Sequence, residues 1–209
     1  MYIIIEGQDG TGKSTQVELL AEYLRKQGKK VVTVHEPDGD LEQAHIIHDL
    51  IVDNEKGYNL ESLTNVALFT AARLELWHKT IEPILKDGGY AISARNWWST
   101  LAYQGYGEGV SRHKIIQITK SLLPKHYFTP DKAVILTVSD ETRLKRQEHR
   151  GKNTETFEAK PDDFQQKVNH AYLKIAQQFN IPTIDATSDI DQIQLTLREV
   201  LFDDNLILK

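Results

Sequence analysis

The chain has 209 residues, of which 40% are hydrophobic, and its formal net charge is −5 at pH 7. Such a length and composition suit a single compact domain, so we expect residues 1–209 to form one domain. The negative charge argues against nucleic-acid binding, which usually leaves a basic footprint. The sequence has no cysteine, which excludes disulfides, zinc knuckles and thiol catalysis and fits a cytoplasmic location. We expect no signal peptide and no membrane span, since no apolar run approaches ~18 residues.

A strand-like run, Tyr2–Glu6, leads into Gly-x-x-x-x-Gly-Lys-Ser at positions 7–14, and an amphipathic helical segment follows. This order can form a phosphate cradle, in which a glycine-rich loop turns its amides inward at the start of a helix. The alternative is a glycine-rich turn before an ordinary helix. Lys13 would reach the β- and γ-phosphates of a nucleoside triphosphate, and the Ser14 hydroxyl would bind Mg²⁺. The predicted triphosphate site comprises Gly7, Gln8, Asp9, Gly10, Thr11, Gly12, Lys13, Ser14 and Thr15.

Strand-like and helical patterns alternate along the rest of the chain. The pattern predicts an α/β fold of the P-loop NTPase type, with five parallel strands and helices on both faces of the sheet. Ligands of such folds bind at the carboxyl ends of the strands. The further strands are predicted at Lys30–His35, Gly89–Ser93, Ala133–Val138 and Ile181–Asp185. The further helices are predicted at Leu41–Val52, Leu60–Lys86, Ser111–Leu122, Asp140–Arg150, Pro161–Gln178 and Asp189–Phe202.

Two segments are predicted to lack regular structure. Gly105–Gly109 is expected to be a glycine-rich loop. The polar segment Gly151–Lys160 suits a mobile lid, which together with the preceding basic helix would span about residues 141–160.

Polar residues follow the second strand in the sequence Glu-Pro-Asp-Gly-Asp, positions 36–40. One interpretation is an ordinary turn with proline and glycine. The functional interpretation places Glu36 and Asp40 beside the phosphate site, near Mg²⁺ or an acceptor.

An arginine occurs on the long predicted helix and another at the end of the third strand. Phe69, Arg73 and Trp77 share one helix face, where an aromatic ring and an arginine could stack on a base and bind its edge. The same spacing is more often typical of a buried core. Arg95 directly follows a buried strand, so its charge requires a phosphate or carboxylate partner. A purely structural salt bridge within the protein is an equal alternative to a ligand.

Three arginines, Arg143, Arg146 and Arg150, recur at spacings of three and four on a predicted helix. A basic helix face is usually only solvated. In a phosphotransferase, cations of a lid can stabilise charge on the transferred phosphoryl group. The glycine-rich loop has no basic residue before Lys13, which favours the lid interpretation.

Together these segments resemble the thymidylate kinase family, whose members pass the γ-phosphoryl of ATP to thymidine monophosphate. The resemblance runs from Tyr2 to about Thr187. Its motifs are Glu6-Gly7-x-Asp9-Gly10-x-Gly12-Lys13-Ser14-Thr15, Glu36-Pro37-x-Gly39, Phe69-x-x-x-Arg73, Arg95-x-x-x-Ser99-x-x-Ala102-Tyr103-Gln104-Gly105 and Leu144-Lys145-Arg146-x-x-x-Arg150 with Glu155 and Glu158.

The resemblance implies transfer from ATP to a deoxynucleoside monophosphate, with dTMP giving dTDP. Ser14 would bind the magnesium ion, and Asp9 would hold either a water bound to Mg²⁺ or the 3′-hydroxyl of the acceptor sugar. Family members are typically homodimers. Catalytic roles are implied for Lys13, Arg95, Arg146 and Arg150.

The resemblance also implies an acceptor site. Phe69 would stack on the base, Arg73 would bind its edge, and Arg95 would take the acceptor phosphate. Tyr103 would exclude a ribose 2′-hydroxyl, and Gln104 would lie near the base. Further acceptor residues implied are Asp9, Glu36 and Thr100.

The sequence departs from the family pattern at His35, Asp38, Asp40, Ala94 and Glu108. Ala94 removes a carboxylate near Mg²⁺, and the three added carboxylates would disfavour a nearby phosphate. Two alternatives therefore remain open. One is a related kinase whose acceptor is another deoxynucleotide or a deoxynucleoside, and the other is a catalytically impaired nucleotide-binding homologue. A nucleoside kinase needs a base for the sugar hydroxyl, whereas a monophosphate is already anionic. Loss of the aspartate therefore favours a monophosphate kinase.

Overall fold

The computed structural model describes residues 1–37, 42–52, 60–150, 157 and 160–202, except for the side chains of residues 43, 44, 52, 147, 149 and 150. Asp38, Asp40 and most of the polar segment Gly151–Lys160 lie outside the described residues.

Five parallel strands form one sheet in the order β2-β3-β1-β4-β5. They are β1 (Tyr2–Gly7), β2 (Val31–His35), β3 (Tyr90–Ala94), β4 (Lys132–Thr137) and β5 (Thr183–Asp185). This confirms the predicted parallel sheet, and the strand bounds agree with the prediction within two residues. The chain leaves β1 and β3 in opposite directions along the sheet, so a crevice opens between their carboxyl ends.

Ten α-helices are present in the described part of the chain. They are α1 (Lys13–Lys26), α2 (Glu42–Val52), α3 (Ser62–Leu76), α4 (Glu82–Lys86), α5 (Trp97–Thr100), α6 (Arg112–Leu122), α7 (Lys125–Phe128), α8 (Asp140–Arg150), α9 (Asp162–Phe179) and α10 (Ile190–Phe202). None of the described helices is both long and apolar enough to cross a membrane.

Alternate residues of β1 pack on opposite faces of the sheet, as the two-residue period of a strand requires. Tyr2 and Ile4 belong to one hydrophobic core, whereas Ile3 and Ile5 belong to the other. Both cores are closed by helices, so β1 is buried along its whole length. This burial explains why its sequence is an almost continuous apolar run.

The predicted helix Leu60–Lys86 is helical from Ser62 to Lys86, but it is not α-helical throughout. A π-helical turn, Trp77–Ile81, separates α3 from α4. Pro83 lies in the first turn of α4, where its missing N–H is tolerated. Pro83 has no backbone N–H, so a regular α-helix that passed through it would lack one hydrogen bond. The change from α-helical to π-helical pitch lies just before this residue.

The predicted loop Gly105–Gly109 is wrong for its first three residues, because Leu101–Gly107 continues α5 as a π-helical segment. Its glycines allow close packing. A Cβ atom added to Gly105 would lie 3.2 Å from Ile115, and one added to Gly107 would lie 2.5 Å from the Phe164 ring.

Candidate active site

The glycine-rich loop joins β1 to α1 at the crevice between β1 and β3. Gly7 has a φ of +142°, and a Cβ atom there would lie 2.4 Å from the Leu136 carbonyl oxygen. Gly12 has a φ of +91° and immediately precedes α1. Lys13 donates to the Gln8 carbonyl at 2.9 Å, so its ammonium group lies folded over the loop. The amides at the start of α1 and this ammonium group together form a site for an anion.

The loop opens on a cavity of about 770 Å³. The cavity is lined by residues 9–16 of the loop and of α1, and by Phe157. The rest of the lining comes from residues on or directly after β2 and β3 and from α2, α3, α5, the following π-helical segment, α8 and α10. Every residue predicted for the acceptor lines it: Asp9, Glu36, Phe69, Arg73, Arg95, Thr100, Tyr103 and Gln104. Among the predicted triphosphate residues, those that line it are Asp9, Gly10, Thr11, Gly12, Lys13, Ser14 and Thr15.

Two predicted triphosphate residues, Gly7 and Gln8, are outside this lining. Gly7 packs against the end of β4. The Gln8 side chain donates to Gln165 on α9, at 3.0 Å to its carbonyl and 2.8 Å to its side-chain oxygen. The Gln165 side chain in turn donates to the Phe157 carbonyl at 2.7 Å. The glycine-rich loop is thereby connected to the lid side of the cavity.

Asp9 lines the cavity and is held by three side chains. Its Oδ1 contacts Nη2 of Arg95 and lies 3.8 Å from the Lys13 ammonium group, and its Oδ2 accepts from the Tyr103 hydroxyl at 2.6 Å. Burial alone would raise the pKa of Asp9, but the Arg95 and Lys13 charges lower it to about 2. The carboxylate is therefore ionised at neutral pH.

Arg95 follows β3 with a φ of +73°, a left-handed conformation that is strained for a residue with a Cβ atom. Its amide donates to the Ile5 carbonyl at 3.1 Å, and its Nη1 donates to Ser99 at 3.0 Å. Although burial opposes its charge, the Asp9 carboxylate raises the pKa of Arg95 well above the usual value. The predicted carboxylate partner of Arg95 is thus Asp9, and the strained backbone aims the guanidinium into the cavity.

Glu6 was missed as a site residue by the sequence analysis. It is fully buried at the end of β1 and accepts from the amides of Asn96 and Ser99 at 2.7 and 3.1 Å. It also accepts from the hydroxyls of Ser99 at 2.8 Å and Tyr172 at 3.2 Å. Glu6 therefore ties the segment that carries Arg95 to β1. The sequence did contain a signal for Glu6, because a charged residue inside an apolar strand is buried and needs partners.

The acceptor end of the cavity combines an arginine with aromatic rings. Arg73 lies 5.5 Å from the centre of the Phe69 ring. The Phe157 ring, which sequence reasoning also missed, lies 6.1 Å from Phe69 and 5.9 Å from Tyr103. Nε2 of Gln104 is buried without a hydrogen-bond partner in the described part of the chain. This end of the cavity suits a flat ring with a hydrogen-bond acceptor on its edge.

Trp77 shares a sequence pattern with Phe69 and Arg73 but is not part of the cavity lining. It packs in the core against Tyr2 and Tyr127, at ring distances of 5.6 and 5.9 Å. Phe69 belongs to the same core but also lines the cavity, so the core interpretation alone accounts for Trp77 but not for Phe69.

The basic face of α8 is not simply solvated. Arg143 is buried, and Arg146 donates to the carbonyls of Gly10 at 3.3 Å and Ala186 at 2.7 Å. Arg146 lines the cavity at its triphosphate end. The Arg150 side chain lies outside the described residues, so its predicted role in the lid stays a prediction.

The departures from the family pattern occupy different places. His35 and Ala94 line the cavity. Glu108 is not part of the lining and pairs with Lys160 at 2.5 Å. Its carboxylate is thus paired with a lysine and lies outside the residues that line the cavity.

Ser14 and Asp9 are the oxygen-bearing residues predicted to serve a metal ion, and both line the cavity. Within the described residues, no group of three or more His, Cys, Asp or Glu side chains could hold a metal by itself. Mg²⁺ is commonly bound by one or two protein oxygens together with phosphate oxygens and water. The hydroxyl and carboxylate present here fit that coordination.

Comparison with known proteins agrees with this geometry. The thymidylate kinase family model matches residues 5–196. Thymidylate kinase of Prochlorococcus marinus (strain AS9601) is 35% identical over 205 residues, covering 96% of this chain and 94% of that protein. Thymidylate kinase of Thermosipho africanus (strain TCF52B) is 30% identical over 202 residues, covering 96% and 97%.

A solved structure is similar over the same length. The crystal structure of thymidylate kinase from Ehrlichia chaffeensis superposes with a TM-score of 0.74 at 30% identity, covering 96% of this chain and 97% of that chain. The parallel sheet, the glycine-rich loop and this similarity establish a P-loop NTPase fold. By its sequence and its structure, the chain belongs to the thymidylate kinase family.

Proposed function

We propose that this protein transfers the γ-phosphoryl group of ATP to dTMP, which yields dTDP and ADP. The observation that carries the proposal is that one cavity is lined both by the glycine-rich loop and by all predicted acceptor residues, among them the paired Asp9 and Arg95. Membership of the thymidylate kinase family supports the same reaction.

The triphosphate would bind at the loop end of the cavity. Its β- and γ-phosphates would accept hydrogen bonds from the amides that begin α1 and from Lys13. Mg²⁺, held by Ser14 and served by Asp9, would neutralise charge on these phosphates. Arg146 would support the same end of the cavity, where it already binds the loop carbonyls.

The monophosphate would bind at the opposite end. Arg95 would take its phosphate group, because its guanidinium is aimed into the cavity beside Asp9. Phe69 would stack on the base, and Arg73 and Gln104 would donate to oxygens on its edge. Thymine offers keto oxygens as acceptors, so two donors at one end of the cavity match it.

In the transfer step, an oxygen of the acceptor phosphate attacks the γ-phosphorus, and the bond from that phosphorus to the bridging oxygen of ADP breaks. The attacking oxygen already carries negative charge, so no side chain has to remove a proton. The protein therefore has to align the two phosphates and stabilise charge, which is the part assigned to Lys13 and Arg95.

The test is to mix protein, ATP and Mg²⁺ with each deoxynucleoside monophosphate in turn and to follow ADP release. We expect the highest kcat/KM with dTMP. Arg95→Gln should lower that value by 100-fold or more, whereas Arg25→Gln, a change of the same kind on the exposed side of α1, should not. No turnover above background with any deoxynucleotide would refute the proposal.

A different acceptor is the second candidate, because His35 and Ala94 line the cavity where the family pattern has other residues. The same panel, extended to deoxynucleosides, separates the two candidates. A nucleoside preferred over every monophosphate would establish the second one.

We also propose that the protein is a cytoplasmic homodimer, as the family resemblance implies. Ile46 and Leu50 on α2 and Leu63 on α3 are exposed apolar side chains that a partner could cover. Light scattering after gel filtration should give twice the mass of the chain, and the monomer mass would contradict the proposal.

A further inference from the structure

A buried polar cluster lies beneath the acceptor end of the cavity. We name it the Glu36 cluster, and its members are Tyr2, Glu36, Arg73 and Tyr127. Glu36 and Arg73 reach the cavity, whereas the two tyrosines are fully buried behind them and are absent from the lining formed by the described residues.

The Arg73 guanidinium is fixed on three sides. Its Nε donates to Glu36 Oε2 at 3.1 Å, its Nη1 to the Thr100 hydroxyl at 2.8 Å, and its Nη2 to the Asn96 carbonyl at 3.2 Å. Arginine carries five N–H groups, so these contacts use three of them and leave one on each terminal nitrogen. Arg73 lines the cavity, so the remaining N–H groups are available to a ligand there. The direction in which they point depends on the three anchors.

Glu36 is the only charged anchor of the three, and it is completely buried. Burial raises the pKa of Glu36, which favours the neutral form and would weaken its hold on Arg73. The Tyr2 hydroxyl donates to Oε1 at 3.0 Å, and the Tyr127 hydroxyl donates to Oε2. Both hydroxyls therefore stabilise the ionised carboxylate.

The two tyrosines come from separate elements. Tyr2 begins β1, and Tyr127 lies on the four-residue helix α7, which the sequence analysis did not predict. Burial raises the pKa of both hydroxyls well above the usual value, so both remain donors at any working pH. A phenylalanine at either position would fill the same core without donating to Glu36.

We infer that Tyr127 and Tyr2 are positioning residues for the acceptor base: they hold Glu36 as a carboxylate, and Glu36 holds Arg73 in the direction of the base. The inference rests on the proposed function, in which Arg73 binds the edge of the base. If it holds, two residues that are buried in the core affect the affinity of the protein for dTMP.

The experiment measures dTMP binding by calorimetry and the KM values for dTMP and ATP. Tyr127→Phe should weaken dTMP binding about 10-fold, which is ~1.4 kcal/mol, and should leave the KM for ATP within two-fold. Tyr2→Phe should act in the same direction. Tyr23→Phe, on α1, is the matched control, because Tyr23 is partly buried against the other core, and it should bind dTMP as the wild type does.

A double-mutant cycle separates positioning from general loosening of the core. Arg73→Gln removes the guanidinium and keeps a neutral side chain that can bind Glu36. In that background, Tyr127→Phe should change dTMP affinity by less than two-fold. Wild-type affinity in Tyr127→Phe, or a full 10-fold further loss in the Arg73→Gln background, would overturn the inference.

If Tyr127→Phe does not fold, Tyr2→Phe carries the same test with the same criteria. A wild-type protein that fails to bind dTMP contradicts the proposed function, whereas a wild type that binds dTMP with unaffected tyrosine variants contradicts only the positioning role.

Discussion

Asp9 provides a quantitative test of the charge arrangement in the cavity. Its carboxylate contacts Arg95 and lies near Lys13, and the Tyr103 hydroxyl donates to it. Asp9→Asn keeps the shape of the side chain and removes its charge. The variant therefore isolates the contribution of this ion pair to folding.

The size of the effect follows from the pKa of Asp9, which falls from 3.8 to about 2 on folding. At about 1.4 kcal/mol for each pH unit, this corresponds to ~2 kcal/mol of folding free energy. Because the folded pKa is lowered, this stability is fully present above pH 3.8 and is lost as the pH falls through 2. Linkage gives a loss of about 1 kcal/mol between pH 7 and pH 3, and the rest below pH 3.

The assay is urea unfolding of the wild type and of Asp9→Asn at pH 7 and pH 3. The free energy of unfolding of the wild type should fall by about 1 kcal/mol more than that of the variant over this interval. Tyr103→Phe keeps the carboxylate and Arg95, so it should retain most of the wild-type pH dependence. Equal pH dependence in the wild type and in Asp9→Asn would refute the assignment of a charged Asp9–Arg95 pair.

Three further substitutions test other parts of the site. Gly7→Ala places a Cβ atom 2.4 Å from the Leu136 carbonyl oxygen. The free energy of unfolding measured with urea should therefore fall by about 2 kcal/mol. A decrease below about 0.5 kcal/mol would contradict the close approach. Lys13→Met should lower kcat at least 100-fold while circular dichroism stays unchanged, and a kcat within 10-fold of the wild type would exclude Lys13 from the transfer step. Ala94→Asp should change the steady-state kcat with dTMP by less than 10-fold, which corresponds to ~1.4 kcal/mol of activation free energy. The reason is that a monophosphate acceptor needs no base. A larger rise in kcat would indicate that the native protein is catalytically impaired.

The sheet was predictable from sequence because each strand is a short apolar run with β-branched residues, bounded by turns. The glycine-rich loop was predictable because its glycines and Lys13 follow a physical requirement for binding phosphate. Helix α7 was not, because four residues are too few to show a helical period. The π-helical segments were missed because a change from α-helical to π-helical pitch does not change the amino-acid composition of a segment.

The acceptor site shows the limit of spacing as an argument. Phe69, Arg73 and Trp77 share one periodicity, and Phe69 and Trp77 both belong to the core, but only Phe69 and Arg73 line the cavity. The resemblance to a family, rather than periodicity, separated these residues in advance. Partners from distant parts of the chain, such as the tyrosine on α7 that contacts Glu36, depend on tertiary packing that no local pattern carries.

The position of Ala94 bears on the choice of acceptor. Ala94 pairs with Ile5 in the sheet register, so it ends β3 beside the glycine-rich loop. The neighbouring carboxylate of Glu6 is already bound by amides and hydroxyls, and it cannot act as a base without releasing them. Asp9 is held by Arg95 with a pKa of about 2, so it is a weak base at neutral pH. Carboxylates held in this way cannot readily deprotonate a sugar hydroxyl, whereas Arg95 and Lys13 supply the positive charge that an anionic phosphate acceptor requires.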